Sequence, residues 1–147
     1  MDSSPEVTAR RAELERAAPV AARAASRRTT WNGRDAVLLC GTIGAEFDAW
    51  QRRLAVTSAA DALLSQQIGL AAVERVMDEL EERLRLEVEL EGRRLKPRRS
   101  PGYGDLPLSL SRRILEELDA PRKIGVSITD SDLLVPSKSV TAICEIC

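Results

Sequence analysis

The sequence predicts an α+β fold with a small, twisted, largely antiparallel sheet, flanking helices and one long central helix. Three observations support this prediction. Apolar residues recur every four positions between residues 64 and 88, which is typical of a long amphipathic helix. Apolar and β-branched segments near residue 40 and at the end of the chain favour strands. Strands and helices do not alternate in a repeated unit, so a doubly wound parallel sheet is not expected.

The first part of the chain is predicted to be helical. Residues 5–28 are rich in Ala, Arg and Glu, and they are expected to form an amphipathic helix with a break or kink at Pro19. The segment 27–33, "RRTTWNG", is expected to be a loop. We therefore divide a single predicted domain into an N-terminal helical segment, residues 1–30, and a main part, residues 31–147.

A strand and two helices are predicted in the middle of the chain. Residues 35–43 form a continuous apolar run between turn residues, as in a buried strand. Gly41 and Gly44 are interpreted as turn residues, because the segment lacks a G-x-G-x-x-G pattern and a P-loop lysine. A short helix is predicted over residues 45–56. A long helix follows over residues 58–90, where Glu and Leu outweigh the strand-like alternation of the last turns.

The last third of the chain begins with a loop rich in Pro and Gly, residues 98–108. An amphipathic pattern predicts a helix over residues 108–119. Two segments rich in Val, Ile and Thr, residues 123–129 and 139–146, are predicted to be strands, and residues 130–138 connect them.

Charge and hydropathy exclude several classes of partner. The chain has 147 residues and a formal net charge of −1, from 22 basic and 23 acidic residues. A nucleic-acid binder should carry a basic excess, so nucleic acid is not an expected partner. No apolar run approaches the roughly 20 residues of a membrane span, and the N-terminus does not resemble a secretory signal. We therefore expect a cytoplasmic protein without a membrane partner.

Residue types that carry chemistry are few. The chain contains no histidine, so the commonest general base and a common metal ligand are missing. Any reaction that it supports should therefore need little proton transfer. Cys144 and Cys147 form a C-x-x-C pair, and Cys40 stands alone. Two thiols are only half of a zinc site, so free thiols are the favoured interpretation and no metal site is predicted.

The loop "RRSPGYGDLPL", residues 98–108, is the strongest candidate for a ligand site. Glycine lets the backbone approach a ligand closely, and proline fixes the path of the chain. Arg98 precedes Gly102 by four residues, and a guanidinium beside a pre-shaped turn suits a small carboxylate. As a loop arginine, Arg98 is expected to contribute little to stability by itself. Alternatively, the prolines and Tyr103 only pack the ends of two helices.

The same loop carries a resemblance to a known family. Residues 98–143 resemble the activation domain of cobalamin-dependent methionine synthase, most of all its short, stand-alone bacterial type. The R-x-x-x-G-Y motif is present as Arg98, Gly102 and Tyr103, followed by "GDLPL", and "SITDSDLLVPSKSV" is similar to the family's T-E-S…P-x-x-S-V segment. A looser similarity upstream extends the match to residues 33–143.

The resemblance implies a function in repair. Members of the family bind S-adenosylmethionine, and Arg98, Gly102 and Tyr103 take the motif positions of that site. The cobalamin is supplied by a partner, either a cobalamin-binding methionine synthase subunit or another corrinoid protein. A flavodoxin-type donor supplies the electron, and the activation domain supplies the methyl group that traps the reduced cobalt. The chain itself is then an accessory component of a methyltransferase, with no catalytic residue of its own.

The resemblance also implies an acidic residue on the long helix that binds the ligand's ammonium group. Glu74 is the candidate, because its helical neighbours Leu70, Ala71 and Met77 are apolar and place it at the edge of the apolar stripe. The alternative for Glu74 is an ordinary salt bridge at the boundary of the core. Other acidic residues of the helix are assigned to a solvated charge run: Glu79, Glu81 and Glu82.

Other functions are weighed against this one. The first alternative is a corrinoid-protein interaction module that has lost S-adenosylmethionine binding. A plain helix–sheet scaffold leaves the Pro- and Gly-rich loop unexplained. An arginine-rich RNA binder is disfavoured by the near-neutral charge and by an aromatic content of 3%.

Overall fold

The computed structural model describes residues 4–147, and within that range the chain forms five helices and five strands. In chain order the elements are α1 (Pro5–Ala17), β1 (Arg23–Trp31), β2 (Arg34–Thr42), α2 (Ala45–Thr57), α3 (Ala59–Leu90), α4 (Leu110–Leu118), α5 (Ala120–Ile124), β3 (Ser127–Ile128), β4 (Leu134–Val135) and β5 (Ser139–Glu145).

The main sheet has three antiparallel strands in the order β1-β2-β5, and β3 pairs with β4 in a separate two-stranded sheet. The turn between β1 and β2 consists of Asn32 at φ 52° and Gly33 at φ 74°. Two successive positive φ values are typical of the tight turn that joins two twisted antiparallel strands. The predicted α+β class with a small antiparallel sheet and one long helix is confirmed.

Helices cover both faces of the main sheet. Ala36, Leu38 and Cys40 of β2 pack against α4 and α5, whereas Val37 and Leu39 pack against α3. Because β2 is buried on both faces, its sequence is a continuous apolar run rather than an alternating one. A third apolar cluster closes the end of the molecule where α1, α2 and α3 meet: Leu14, Ile43, Phe47, Trp50, Ile68 and Val73.

The helix predicted for residues 5–28 is wrong beyond Ala17, and the loop predicted for residues 27–33 is wrong up to Trp31. Residues 23–31 form β1, and each residue of the strand pairs with a residue of β2, whereas residues 18–22 belong to no helix or strand. Ala and Arg favour helices in isolation, but the Asn32–Gly33 turn folds the segment back onto β2. The expected boundary between residues 30 and 31 lies inside this strand.

Smaller differences from the predictions concern short elements. Within the strand predicted for residues 123–129, only Ser127–Ile128 forms a strand. Lys123 and Ile124 belong to α5, which has Pro121 in its first turn, and Gly125 caps that helix at φ 72°. Gly41 lies within β2 rather than in a turn. The long helix ends at Leu90, just before Gly92 at φ 76°.

The segment that follows the long helix runs antiparallel along β5. The amide of Arg94 donates to the carbonyl of Cys147 at 3.0 Å, and the amide of Lys96 donates to Glu145 at 2.9 Å. Arg99 and Ile143 exchange two backbone hydrogen bonds of 2.9 Å each. These bonds fix the path of residues 94–99, and therefore the starting point of the Pro- and Gly-rich loop.

Helix α1 is attached to α3 by an ion pair. Arg10 donates two hydrogen bonds to the Asp61 carboxylate, at 3.1 and 2.7 Å. This hydrogen bonding holds the pKa of Asp61 below its usual value of 3.8. A depressed carboxyl pKa stabilises the folded state above the unfolded pKa, and this contribution is lost as pH falls through the folded pKa.

We expect Asp61→Asn to lower the melting temperature at pH 7, with a difference from the wild type that shrinks below about pH 4. Thermal unfolding followed by circular dichroism between pH 7 and pH 3 measures this difference. Other carboxyl groups titrate in both proteins, so the comparison isolates Asp61. A difference that stays constant down to pH 3 would show that the charge of Asp61 does not contribute.

Among the helices of residues 4–147, none is both long enough and apolar enough to cross a bilayer.

Candidate functional site

Arg98 lies at the centre of a cluster of charged side chains on the outer face of α3. Its Nη2 donates to Glu74 Oε2 at 2.6 Å, and its Nη1 donates to Asp78 Oδ1 and to Glu81 Oε1, both at 2.8 Å. Only 17% of the Arg98 side chain is exposed. The expectation that Arg98 is a solvated loop arginine with little effect on stability is therefore not supported by its surroundings.

One guanidinium faces three carboxylates in this cluster. Burial alone lowers the pKa of Arg98, but hydrogen bonds to Asp78 and Glu81 and the charges of Glu74 and Asp78 outweigh it, so the pKa lies above its ordinary value. Arg98 is thus permanently charged. With three acidic groups and one basic group, the cluster can accept additional positive charge.

The sequence positions of the cluster follow from helix geometry. Glu74, Asp78 and Glu81 are spaced by four and three residues, so they lie on one face of α3. The segment bound along β5 brings Arg98 over this face. The assignment of Glu81 to a solvated charge run is wrong, because only 20% of its side chain is exposed. Asp78 was missed, although its spacing of four from Glu74 was a usable signal.

The loop after Arg98 is held in a tight conformation by its own backbone. The amide of Gly102 donates to the carbonyl of Leu106 at 2.9 Å, and the amide of Leu106 donates to Tyr103 at 3.2 Å. Gly102 has a φ of 90°, and a Cβ there would lie 3.3 Å from Leu108 Cδ1. A left-handed backbone close to a neighbouring side chain explains why glycine occupies this position.

An open cavity of about 460 Å³ lies beside the cluster. Among the residues predicted for the site, Glu74, Arg98 and Tyr103 line the cavity, and Gly102 does not. The Tyr103 side chain is largely exposed, with 75% of the residue accessible. The rest of the lining comes from the same loop: Arg99, which is paired with Asp105, Ser100 and Gly104.

The cysteines do not form a metal or redox centre with this cluster. All three are free thiols; Cys40 and Cys144 are buried, and Cys147 is exposed. Burial, reinforced by the charge of Glu81, raises the pKa of Cys144 to about 12, so its thiol is neutral at physiological pH. Within residues 4–147, no group of three or more His, Cys, Asp or Glu side chains is placed to hold a metal ion.

Comparison with known proteins finds matches among solved structures. No protein-family model matches the chain, and no curated protein matches it. Among solved structures, the chain is similar to a crystal structure of the MetH reactivation domain bound to AdoHcy, with a TM-score of 0.65 and 21% sequence identity. The match covers 76% of this chain and 39% of that chain, so this chain spans about two fifths of the length of that protein. The likeness establishes a shared fold.

Proposed function

We propose that the chain binds S-adenosylmethionine in the cavity at Arg98 and serves as the activation module of a cobalamin-dependent methionine synthase or a related corrinoid methyltransferase. The observation that carries the proposal is the pairing of one arginine with three carboxylates beside an open cavity. The similarity in fold to a reactivation domain that binds AdoHcy agrees with it. When bound, S-adenosylmethionine supplies the methyl group for reductive methylation of a partner's cobalamin.

The charges of the cluster complement those of the ligand. S-adenosylmethionine carries one carboxylate and two cationic groups, an ammonium and a sulfonium. Arg98 can take the carboxylate in the bidentate geometry that a guanidinium offers. The acidic surplus on α3 can then compensate the two cationic groups.

Arg98 and the acidic side chains already hold one another, so binding requires an exchange of partners. Glu74 and Asp78 are the members that we expect to exchange, because 56% and 69% of their side chains are exposed to solvent. Glu81 is largely covered and keeps Arg98 in place during the exchange. In this proposal the ligand carboxylate replaces Glu74 on Arg98, and the released Glu74 carboxylate pairs with the ligand ammonium.

The backbone and ring of the loop complete the proposed site. Tyr103 presents an exposed aromatic surface at the cavity, which suits a planar adenine. Gly102 fixes the turn that places Tyr103, rather than contacting the cavity directly. The chain's task is positioning, so the absence of histidine from its sequence is no obstacle.

The remaining components are assigned to partners. We place the cobalamin on a methionine synthase subunit or another corrinoid protein, the electron on a flavodoxin-type donor, and the complex in the cytoplasm. Purified alone, the chain should not retain cobalamin. A corrin absorption spectrum at stoichiometric amounts after purification from cobalamin-fed cells would contradict this assignment.

The direct test is calorimetric titration with S-adenosylmethionine and, separately, with S-adenosylhomocysteine, which lacks the sulfonium charge. We expect saturable binding of both. The double variant Glu74→Gln, Asp78→Asn should weaken binding of both ligands, because both carry the ammonium group assigned to Glu74. It should weaken binding of S-adenosylmethionine by up to about fivefold more than binding of the thioether, because the additional exposed charge pair with the sulfonium contributes about 0.2–1 kcal/mol.

The exposed pair Glu82 and Arg85, on the same helix but outside the cavity, offers a matched control. Glu82→Gln should leave both affinities unchanged. Equal losses for the two ligands in the double variant would mean that the acidic residues do not sense the sulfonium.

A corrinoid-protein interaction module that no longer binds S-adenosylmethionine is the second candidate. The observation in its favour is that the carboxylates of the chain itself already satisfy Arg98. Absence of any heat of binding in the titration, together with cosedimentation of the chain with a corrinoid methyltransferase subunit, would select this alternative.

A further inference from the structure

Strand β1 forms an open edge of the main sheet. The Asp35 carbonyl of β2 accepts a hydrogen bond from the Ile146 amide, so the backbone of Asp35 is directed away from β1. Thr30 is paired with Asp35, and its backbone therefore points outward. By alternation, Ala24, Ser26 and Arg28 also direct their amides and carbonyls outward. Within residues 4–147 no strand lies beyond β1.

The edge is long and regular. The register between β1 and β2 is continuous over nine residues, without a bulge, and the strand contains no proline. Natural proteins usually protect an edge by shortening, bulging or covering it. This edge is neither shortened nor bulged. It is protected by charge, from Arg23, Arg27 and Arg28, and at one end by the Arg113 side chain, which donates to the outward Thr30 carbonyl at 3.3 Å. The stretch from Ala24 to Arg28 can therefore accept an additional strand of opposite charge.

A groove runs between this edge and α3. Two adjoining cavities of about 440 and 200 Å³ share Ala22, Val76 and Glu79. The floor is made of small and aliphatic side chains, including Ala24 and Leu80. A floor made of short side chains lets an extended chain lie close to the edge of β1.

The walls of the groove carry unsatisfied positive charge. Arg75 and Arg83 of α3 and Arg23 of β1 line the groove, and none of the three is ion-paired to a residue in the described part of the chain. Glu79 is the acidic residue between Arg75 and Arg83, and Glu15 at the far end is paired with Arg11. The groove is therefore basic, although the whole chain has a net charge of −1.

We propose that the edge of β1 and this groove bind an extended acidic segment of a partner protein, which adds to the sheet as a fourth strand. Arg75 and Arg83 are eight positions apart, or about 12 Å along the helix. Two acidic residues four positions apart in a strand span about 13 Å, so both can reach an arginine. The segment's backbone pairs with the outward groups of Ala24, Ser26 and Arg28.

A second copy of this chain is a poorer occupant. Strand β1 has no acidic residue and contains Arg23, Arg27 and Arg28, so a second β1 would bring more positive charge to a basic groove. The groove is also separate from the proposed ligand site. Arg75 lies about 100° around α3 from Glu74, Glu79 lies about 100° from Asp78, and no residue that lines the ligand cavity lines the groove. The inference therefore does not depend on S-adenosylmethionine binding.

The test uses the whole chain and a fluorescent, terminally blocked peptide of about nine residues, rich in Val and Thr, with two Glu four positions apart. Fluorescence anisotropy should show saturable binding, and the same peptide with Lys for Glu should bind much more weakly. Arg75→Glu and Arg83→Glu should each weaken binding by roughly threefold to tenfold. Arg53→Glu, the same change on an exposed arginine of α2, should have no effect.

Pairing with the edge is tested by Ser26→Pro, which removes an outward amide that makes no bond to β2. It should abolish binding while circular dichroism stays unchanged. If this variant unfolds, a second acidic peptide provides the test. Its amides are N-methylated on the side that would pair with β1, and it should not bind to the wild-type chain. Equal binding of Glu and Lys peptides, equal effects of Arg83→Glu and Arg53→Glu, or binding of the N-methylated peptide would overturn the proposal. The proposal would also be overturned if sedimentation showed that the chain forms a dimer and that Ser26→Pro dissociates this dimer.

Discussion

Gly69→Val is expected to lower the free energy of unfolding by about 1–3 kcal/mol, the usual cost of overpacking a core. A Cβ at this position would lie 2.6 Å from Phe47 Cε1, 2.8 Å from Phe47 Cζ and 3.0 Å from Lys138 Cε. Phe47 is fully buried on α2, in one apolar cluster with Ile68 and Val73 of α3. Glycine here lets two helices and the start of β5 approach one another, a benefit that outweighs its poor helix propensity.

Urea unfolding followed by circular dichroism measures the effect. Ala71→Val, an exposed position on the same helix, reports the cost of a β-branched residue without the clash, and it should change stability by at most about 0.5 kcal/mol. Equal unfolding midpoints for the Gly69→Val and Ala71→Val proteins would show that the helices are not in this close contact.

Arg98→Gln is expected to change both stability and ligand binding. It removes three charge-assisted hydrogen bonds and leaves three carboxylates facing one another. We expect a loss of about 1.5–3 kcal/mol in the free energy of unfolding, the range for hydrogen bonds to charged groups. The affinity for S-adenosylmethionine should fall by roughly 10- to 100-fold, since the ligand carboxylate loses its guanidinium. Arg98→Lys should recover only part of the affinity, because an ammonium lacks the planar fork.

Two further variants separate folding from binding. Combining Arg98→Gln with Glu74→Gln and Asp78→Asn removes most of the unbalanced charge, so stability should return in part while binding does not. Arg112→Gln removes an arginine that is paired with Asp132 away from the cavity, and it should leave the affinity unchanged. If Arg98→Gln and Arg112→Gln bind the ligand equally well, the cavity at Arg98 is not the S-adenosylmethionine site.

Much of the fold could be predicted because its strongest signals are local. The periodicity of α3 and the apolar run of β2 each indicate which residues of the element are buried, and both elements lie where they were expected. Strand β1 could not be found in this way. Its Ala- and Arg-rich sequence has no strand periodicity, and it is extended only because the Asn32–Gly33 turn and the exposed backbone of β2 impose pairing.

The candidate site was predictable only in part for a similar reason. The motif around Arg98 and the choice of Glu74 identified two members of the charged cluster, and the cavity contains both. The partnership of Arg98 with Asp78 and Glu81 depends on how residues 94–99 lie against β5, and no local pattern encodes that docking. Sequence spacing shows which acidic side chains share a face of α3, but it does not show which face a distant arginine will reach.

The backbone bonds between Arg99 and Ile143 also determine the order in which the molecule can be completed during translation. Residues 98–104 leave the ribosome well before β5, yet the bonds that hold this segment over α3 need Ile143. Until β5 has emerged and paired with β2, only the segment that follows α3 connects Arg98 to the helix that carries its three carboxylates. A nascent polypeptide that stalls before residue 143 therefore carries the α3 helix and the motif but not the assembled cavity.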